Sequence, residues 1–346
     1  MRILFAGTPE VAVPSLRALV EAGFDVAAVL TRVDAPVGRR KVLTPSPVAV
    51  AAHELGLRVV KANRFTPELI EHLGTLGLEA AAIVAYGGIV PPAGLSVPEH
   101  GWINLHFSVL PAWRGAAPVQ HAVLAGDDVT GATTFLLEEG LDTGPVFGVM
   151  TETLEPSATS GEVLGRLAHS GAILLVQTLS GLSAGRVTAT PQTGDPSFAP
   201  KLTIDDARID WSQPAAAVRR RINAVTPEPG AWTTLDGQRV KLGPVTPVTD
   251  SADSADSAVG AVGADSADSA DSADSADDAG GADAPVGGGS GAPLTPGALK
   301  VAGRQVLVGT GSGAVVLGEL QPAGKKMMNA LDWARGAAAR GELVFE

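Results

Sequence analysis

The sequence contains no cysteine, which excludes a disulfide framework and any metal site built on thiolates. Its six histidines lack the His-x-His or His-x-x-x-His spacing of zinc ligands, so we expect no metal centre. No apolar run reaches the ~20 residues of a membrane-spanning helix, and the amino terminus lacks the longer apolar stretch of a signal peptide. We therefore expect a soluble, cytoplasmic protein without a membrane partner.

Negative charge is concentrated in one stretch of the chain. The net charge is −12, yet residues 249–293 hold ten aspartates and no Lys, Arg or Glu. The rest has 25 basic and 27 acidic residues, with a charge of −7 over residues 1–207 and +5 from residue 208 onward. This contrast favours an enzyme-like first half and a second half that presents a surface to an anionic partner.

The acidic stretch is an insert of low complexity. Residues 249–293 consist of Asp-Ser-Ala triplets with glycine-rich ends. Such a composition cannot bury enough apolar surface to offset the entropy of ordering, so we expect the insert to be disordered. Because loop closure costs only about (3/2)RT ln n, a long insert at a turn between adjacent strands is tolerable.

Short apolar runs alternate with helical patterns along the first half of the chain. Residues 2–6, 26–30 and 80–85 are typical of buried strands. Ser46-Pro47 and Thr66-Pro67 are typical of an N-cap followed by proline at the first helical position. The alternation predicts an α/β fold, with a Rossmann-like, mostly parallel sheet and helices on both faces.

The pattern divides the chain into a catalytic domain over residues 1–188, a linker over 189–207 and a second domain over 208–346 that the insert interrupts. The linker is predicted because its residues are rich in Pro, Thr, Gly and Asp and show no periodicity. Short runs bounded by turns, among them residues 314–320, predict that the second domain is a small, OB-like β-barrel.

Polar residues interrupt a strand predicted over residues 102–107. Asn104 and His106 are two positions apart, so their side chains point to the same face, and Asp142 follows in the turn Gly-Leu-Asp-Thr-Gly. An amide, an imidazole and a carboxylate can together orient an amine, hold a developing oxyanion and move a proton. Taken singly, a histidine such as His106 is more often a core residue, Asn104 is typical of a hydrogen-bonded strand end, and Asp142 of an Asx turn.

Motifs at these positions do not support two other chemistries, a nicotinamide-dependent reaction and a Ser-His-Asp hydrolysis. The turn Gly7-Thr8-Pro9 after the first strand is not Gly-x-Gly-x-x-Gly, and no acidic residue follows the second strand at the required place. This argues against a nicotinamide cofactor. Ser108, the serine beside these polar residues, does not lie in the Gly-x-Ser-x-Gly motif of many Ser-His-Asp hydrolases.

Several segments together resemble one enzyme family. Four segments resemble motifs of the 10-formyltetrahydrofolate-dependent transferases: Asn104-x-His106, Ser108-Val-Leu-Pro111, WRGAAP at 113–118 and GLDTG at 140–144. Three more segments resemble the branch of that family that acts on methionyl-tRNA: the basic loop at 38–41, ARIDW at 207–211 and QPAGKKMM at 321–328. The sequence similarity extends over most of the chain outside the insert.

The resemblance implies a reaction and roles for the three polar residues. The α-amine of methionyl-initiator tRNA would attack the formyl carbon of 10-formyltetrahydrofolate directly, through a tetrahedral intermediate, with no metal and no covalent enzyme intermediate. N-formylmethionyl-tRNA would result, for translation initiation. Asn104 and a protonated His106 would hold the oxyanion, while Asp142 would orient the ring and assist proton removal.

The resemblance also implies the substrate contacts. For folate these are Tyr86, Gly87, Ser108, Val109, Leu110, Pro111, Gly140 and Leu141. For tRNA the resemblance implies Arg39, Arg40 and Lys41 of the basic loop. The positive charge of the linker and second domain adds Lys201, Lys325 and Lys326 as expected contacts with the RNA backbone. We expect the enzyme to act as a monomer.

Three alternatives remain at this point. A formyltransferase for an amino sugar or amino nucleotide would share Asn104, His106 and Asp142 but should lack the basic loop and the QPAGKKMM segment. A formyltetrahydrofolate hydrolase would use water in place of the amine. A non-catalytic tRNA-binding module would not need the three polar residues.

Overall fold

The structure is a computed structural model that describes residues 1–38, 40–248, 293–337 and 342–346. Arg39, predicted to contact tRNA, and all of the predicted disordered insert except Pro293 lie outside the described residues. The disorder of the insert therefore stays a prediction. None of the helices in the described ranges is long and apolar enough to cross a membrane.

The first region contains eleven strands among the described residues. In chain order they are Arg2–Gly7 (β1), Asp25–Thr31 (β2), Ala35–Val37 (β3), Val42–Thr44 (β4), Val59–Lys61 (β5), Ala80–Val84 (β6), Trp102–His106 (β7), Arg114–Gly115 (β8), Val129–Leu136 (β9), Val146–Thr153 (β10) and Phe198–Ala199 (β11). The α-helices are Val13–Glu21 (α1), Pro47–Glu54 (α2), Pro67–Gly74 (α3), Pro92–Leu95 (α4), Pro118–Ala125 (α5) and Ser160–Ser183 (α6).

Seven of these strands form the central sheet, in the order β10-β9-β7-β6-β1-β2-β5. The five strands from β7 to β5 are parallel, whereas β9 runs antiparallel to both β7 and β10. Every residue of β6 is buried, as expected of a strand covered on both faces. The prediction of a mostly parallel, Rossmann-like sheet is confirmed.

Helices cover both faces of this sheet. On one face, α1, α2 and α6 supply residues such as Leu16, Val48 and Leu167 to a common core. On the other face, Leu73 of α3 packs in a second cluster with Trp102 of β7. The helix starts follow the sequence signals: the hydroxyls of Ser46 and Thr66 accept hydrogen bonds from the first turns of α2 and α3.

The order in which strands are added to the sheet changes direction at β1. Strands β2 and β5 lie to one side of β1, whereas β6 and β7 lie to the other. Open parallel sheets bind ligands outside the carboxyl ends of their strands at such a switch point. The carboxyl ends of β1, β6 and β7 therefore mark where a site is expected, and Asn104 and His106 lie in the last three residues of β7.

The second region is built mainly of antiparallel strands. Its elements are Ala215–Ala224 (α7), Trp232–Leu235 (β12), Gln238–Leu242 (β13), Val245–Pro247 (β14), Leu299–Ala302 (β15), Gln305–Gly309 (β16), Ala314–Leu317 (β17), Glu319–Gln321 (β18), Met328–Asn329 (β19) and Ala330–Ala337 (α8). Two four-stranded sheets, β12-β13-β18-β19 and β14-β17-β16-β15, share one apolar core.

One predicted strand of this region is divided in the structure, and two observed strands, β14 and β19, were not predicted. Residues 314–320 were expected to form a single strand, but the structure divides them into β17 and β18, which belong to different sheets. Gly318 lies between the two strands. Residues before Gly318 pair with β14 and β16, whereas residues after it pair with β13 and β19.

Candidate active site

A cavity of about 800 Å³ lies at the carboxyl ends of β1, β6 and β7. Its walls come from Pro9 after β1, the segment after β6, the end of β7 and the loop between β9 and β10. Asn104, His106 and Asp142 all line it. The structure thus brings together the three polar residues that the sequence singled out from two separate segments.

His106 is fixed by one of its two ring nitrogens. The ring is buried, and its Nε2 lies 2.9 Å from the carbonyl oxygen of Trp113. Since a carbonyl can only accept a hydrogen bond, Nε2 carries a proton and donates it. Nδ1 is therefore the nitrogen left to exchange a proton, and it lies 3.8 Å from Oδ2 of Asp142.

The protonation of His106 depends on two opposed effects. Burial lowers the pKa of His106 below its ordinary value of 6.5, while the Asp142 carboxylate and the hydrogen bond to Trp113 raise it less strongly. The ring is consequently neutral near pH 7, with a lone pair on Nδ1. The protonated His106 that the resemblance implies for the tetrahedral intermediate would therefore gain its second proton during the reaction.

A main-chain N–H group holds the carboxylate of Asp142. Its Oδ2 accepts a hydrogen bond of 2.8 Å from the backbone N–H of Gly115, and its side chain is 12% exposed. The residue has a φ of +51°, a left-handed conformation that Asp tolerates better than most residues. The carboxylate is therefore placed by the fold of two loops, with one oxygen directed towards the ring.

Comparison with known proteins places the chain in a family. A sequence profile of formyl transferases matches residues 1–179, and one of the formyl transferase C-terminal domain matches residues 201–338. A protein of Arthrobacter sp. named methionyl-tRNA formyltransferase is 59% identical over 346 residues, which is 100% of both chains. Another of that name, from Mycobacteroides abscessus, is 48% identical over 99% of each chain.

The chain belongs to the methionyl-tRNA formyltransferase family.

Solved structures share the fold of this methionyl-tRNA formyltransferase family member at low identity. A sugar 3N-formyl transferase, solved in the presence of dTDP and 5-N-formyl-THF, has a TM-score of 0.61 at 13% identity and covers 94% of this chain and 99% of its own. A methionyl-tRNA formyltransferase from Clostridium thermocellum has a TM-score of 0.51 at 14% identity, covering 71% and 93%. At such identities the likeness concerns the fold alone.

The folate contacts implied for this formyltransferase fall into two groups. Tyr86, Gly87, Gly140 and Leu141 line the cavity. The segment Ser108, Val109, Leu110 and Pro111 does not appear among the described residues of its wall.

Hydrogen bonds explain the position of that second group. Thr133 Oγ1 donates to the carbonyl of Ser108 at 2.6 Å and accepts from the N–H of Leu110 at 3.1 Å. Ser108 Oγ donates to the carbonyl of Ala112 at 2.6 Å. The segment is thereby tied to β9, and it shapes the turn that delivers the Trp113 carbonyl to His106.

The implied tRNA contacts are spread over three places. Arg40 and Lys41 are exposed in the turn of the β3–β4 hairpin, and Lys325 and Lys326 are exposed between β18 and β19. Lys201, by contrast, lines the cavity that holds His106. The sequence placed this lysine in the predicted linker as a tRNA contact, whereas the structure puts it in the wall of the cavity that His106 also lines.

Sequence reasoning missed residues that hold His106 and Asp142. Trp113 has a φ of +60° and anchors its indole through Nε1, which donates to Asp127 at 2.7 Å, and by stacking on His121. Gln192, within the predicted linker, contacts the backbone of Asp142. Composition marked residues 190–201 only as irregular, so no local signal distinguished this glutamine from a solvated one.

Proposed function

We propose that the chain transfers the formyl group of 10-formyltetrahydrofolate to the α-amine of methionyl-initiator tRNA, giving N-formylmethionyl-tRNA for translation initiation. The observation that carries this proposal is a buried His106–Asp142 pair beside Asn104, in a chain 59% identical over its full length to a methionyl-tRNA formyltransferase. The reaction belongs to the cytoplasm, where translation begins. Since one chain supplies all three groups, we expect a monomer.

The donor fits the cavity by size and by the character of one wall. Small-molecule pockets typically measure about 300–1,000 Å³, and this one is about 800 Å³. The ring of Tyr86 is buried and its hydroxyl donates to the carbonyl of Ala62 at 2.7 Å. The backbone of Tyr86 and Gly87 therefore faces the cavity, where it can pair with the polar edge of a pterin, and Gly140 and Leu141 line the same cavity.

His106 begins the reaction as a base. Its Nε2 proton is committed to Trp113, and burial keeps Nδ1 unprotonated near pH 7. As the α-amine attacks the formyl carbon, its nitrogen gains positive charge and must lose a proton. Nδ1 accepts that proton, and the Asp142 carboxylate 3.8 Å away stabilises the imidazolium that forms.

Asn104 and the charged ring then stabilise the oxygen. The formyl oxygen gains negative charge as the new carbon–nitrogen bond forms, and the amide of Asn104 and Nδ1–H of His106 donate to it. When the bond to N10 of the folate breaks, His106 returns the proton to N10. The ring ends neutral, as it began, so one proton passes from acceptor to leaving group in each turnover.

The experiment that tests the function supplies labelled formyl donor with three acceptors in separate assays: methionyl-tRNA, a nucleotide-linked amino sugar and water alone. We expect the label on methionyl-tRNA, with turnover on the other two lower by at least about 10³-fold because neither presents the methionyl ester amine. Label on the amino sugar, or release of formate at a similar rate, would show that one of the alternative activities is correct.

A further inference from the structure

The side chain of Gln192 joins the loop that carries Asp142 to Arg114 of β8. Its Nε2 donates to the carbonyl oxygens of Asp142 and Gly144, each at 2.8 Å. Its Oε1 accepts two hydrogen bonds from Arg114, from Nε at 3.2 Å and from Nη2 at 2.6 Å. Only a neutral amide of this length both donates and accepts in this way.

Arg114 is followed in the chain by Gly115, whose backbone N–H holds the Asp142 carboxylate. Residues 190–201, here called the strap, include β11, which pairs in parallel with β8. Gly115 of β8 donates its backbone N–H to Oδ2 of Asp142 at 2.8 Å. A Cβ added to Gly115 would lie 2.6 Å from the carbonyl oxygen of Ala199, so the strap fits closely against this donor.

The loop that carries Asp142 needs an anchor of this kind. Glu139, Gly140 and Leu141 are exposed, and Asp142 has a left-handed backbone. Thr143 donates to Glu138 at 2.6 Å, a contact within the loop that does not tie it to the rest of the domain. The bonds from Gln192 and Gly115 reach the loop from outside it and fix the backbone and the carboxylate of Asp142.

We propose that Gln192 is a positioning residue for formyl transfer, which holds the Asp142 carboxylate at its working distance from the His106 ring. This inference rests on the proposed function. Gln192 touches neither reacting group, so it acts through Asp142. Without its two donors the loop would shift, and the carboxylate would stabilise the developing imidazolium less.

Gln192→Met tests the proposal, because methionine has nearly the same length and cannot form the four hydrogen bonds. We expect kcat to fall about 10- to 100-fold, the effect of a small misplacement near the reaction, while KM for both substrates stays within about twofold. The pH at which the rate is half-maximal on the acid side should also fall, because a more distant carboxylate raises the pKa of His106 less.

Gln213→Met is the matched control, since Gln213 donates to Asp210 at 3.0 Å in the second region. It should keep wild-type kcat and pH midpoint. A wild-type chain unable to formylate methionyl-tRNA would overturn the proposed function itself. An active wild type with an unchanged kcat or an unmoved pH midpoint in Gln192→Met would overturn only the role of Gln192.

Gln192→Glu is the second variant, for use if Gln192→Met does not fold. Glutamate keeps an acceptor for Arg114 but cannot donate to the carbonyls of Asp142 and Gly144. We expect a folded protein, as judged by its thermal transition, with kcat lowered about tenfold or more. Wild-type kcat in a folded Gln192→Glu would contradict the proposal.

Discussion

The cavity proposed for catalysis and the basic segments proposed for tRNA hold their charged groups in opposite ways. In the cavity, His106 and Asp142 are buried, and each has a main-chain partner that fixes one of its polar atoms. On the β3–β4 hairpin and in the turn before β19, Arg40, Lys41 and Lys325 are exposed.

This difference separates two kinds of function. A proton can be passed reliably only between groups whose distance and pKa are fixed, and burial with backbone partners fixes both. An RNA backbone presents many equivalent phosphates, so exposed cations on long side chains contribute by number more than by position. Substitutions in the cavity should therefore reduce kcat sharply, whereas those on the basic segments should change KM for tRNA and its salt dependence.

The largest effect is expected for His106→Ala. Because the ring both removes the proton of the amine and donates to the oxyanion, its loss should lower kcat about 10²- to 10⁴-fold. Rapid-quench measurement of label transfer to methionyl-tRNA provides the rate. The control is His53→Ala, an exposed histidine in the last turn of α2. Transfer at the wild-type rate in a folded His106→Ala would show that the catalytic assignment is wrong.

The hairpin should show an intermediate effect. Replacing Arg40 and Lys41 together by alanine removes two exposed cations, and we expect KM for tRNA to rise roughly tenfold at low salt with kcat nearly unchanged. Measurements across a range of salt concentrations should give a shallower slope than the wild type. Lys300→Ala, an exposed lysine of β15, is the control. A loss confined to kcat would contradict the comparison.

Lys325 and Lys326 should contribute less. Changing both to methionine should raise KM for tRNA about two- to threefold and reduce the salt slope by about one for each lysine that contacts a phosphate. Kinetic or filter-binding titrations across a range of salt concentrations measure the change in KM and in slope. An unchanged salt slope would remove both lysines from the tRNA surface.

Deletion of residues 249–292 should have the smallest effect. Ten negative charges near an RNA-binding region would repel phosphate if held close to it, but charges are screened over about 8 Å at physiological salt. We expect kcat and KM to remain within about twofold of the wild type. A tenfold loss would assign the insert a role that its composition does not indicate.

Parts of the fold could be predicted because they depend on local signals. Buried strands such as β6 and the capped starts of α2 and α3 follow from apolar runs and Ser-Pro or Thr-Pro pairs. The β3–β4 hairpin escaped prediction because its residues are exposed and carry no alternating pattern. The division of residues 314–320 at Gly318 depends on which sheet each half joins, and that is a tertiary property.

The candidate site divides in the same way. Asn104, His106 and Asp142 could be singled out because their side-chain chemistry is unusual in a strand and a turn. Their supports could not, because Trp113 and Gly115 act through backbone atoms that every residue type possesses. The direction of the His106 pKa shift was also out of reach, since it depends on burial, which opposes and exceeds the effect of the Asp142 carboxylate.

The most direct test of the account is the pH dependence of single-turnover formyl transfer, in the wild type and in Asp142→Asn. We predict that the wild-type rate rises with pH through a midpoint below 6.5, because the neutral ring accepts the proton. A second rise, as the substrate amine loses its proton, should be common to both proteins.

In Asp142→Asn the plateau should fall by about 10²-fold, the loss expected when one group of a proton-transfer pair is removed. The lower midpoint should also move to still lower pH, because the carboxylate that raises the pKa of His106 is gone. A wild-type rate that falls as pH rises through this range, or a midpoint that stays in place in Asp142→Asn, would contradict the central claim that Asp142 controls a buried, neutral His106.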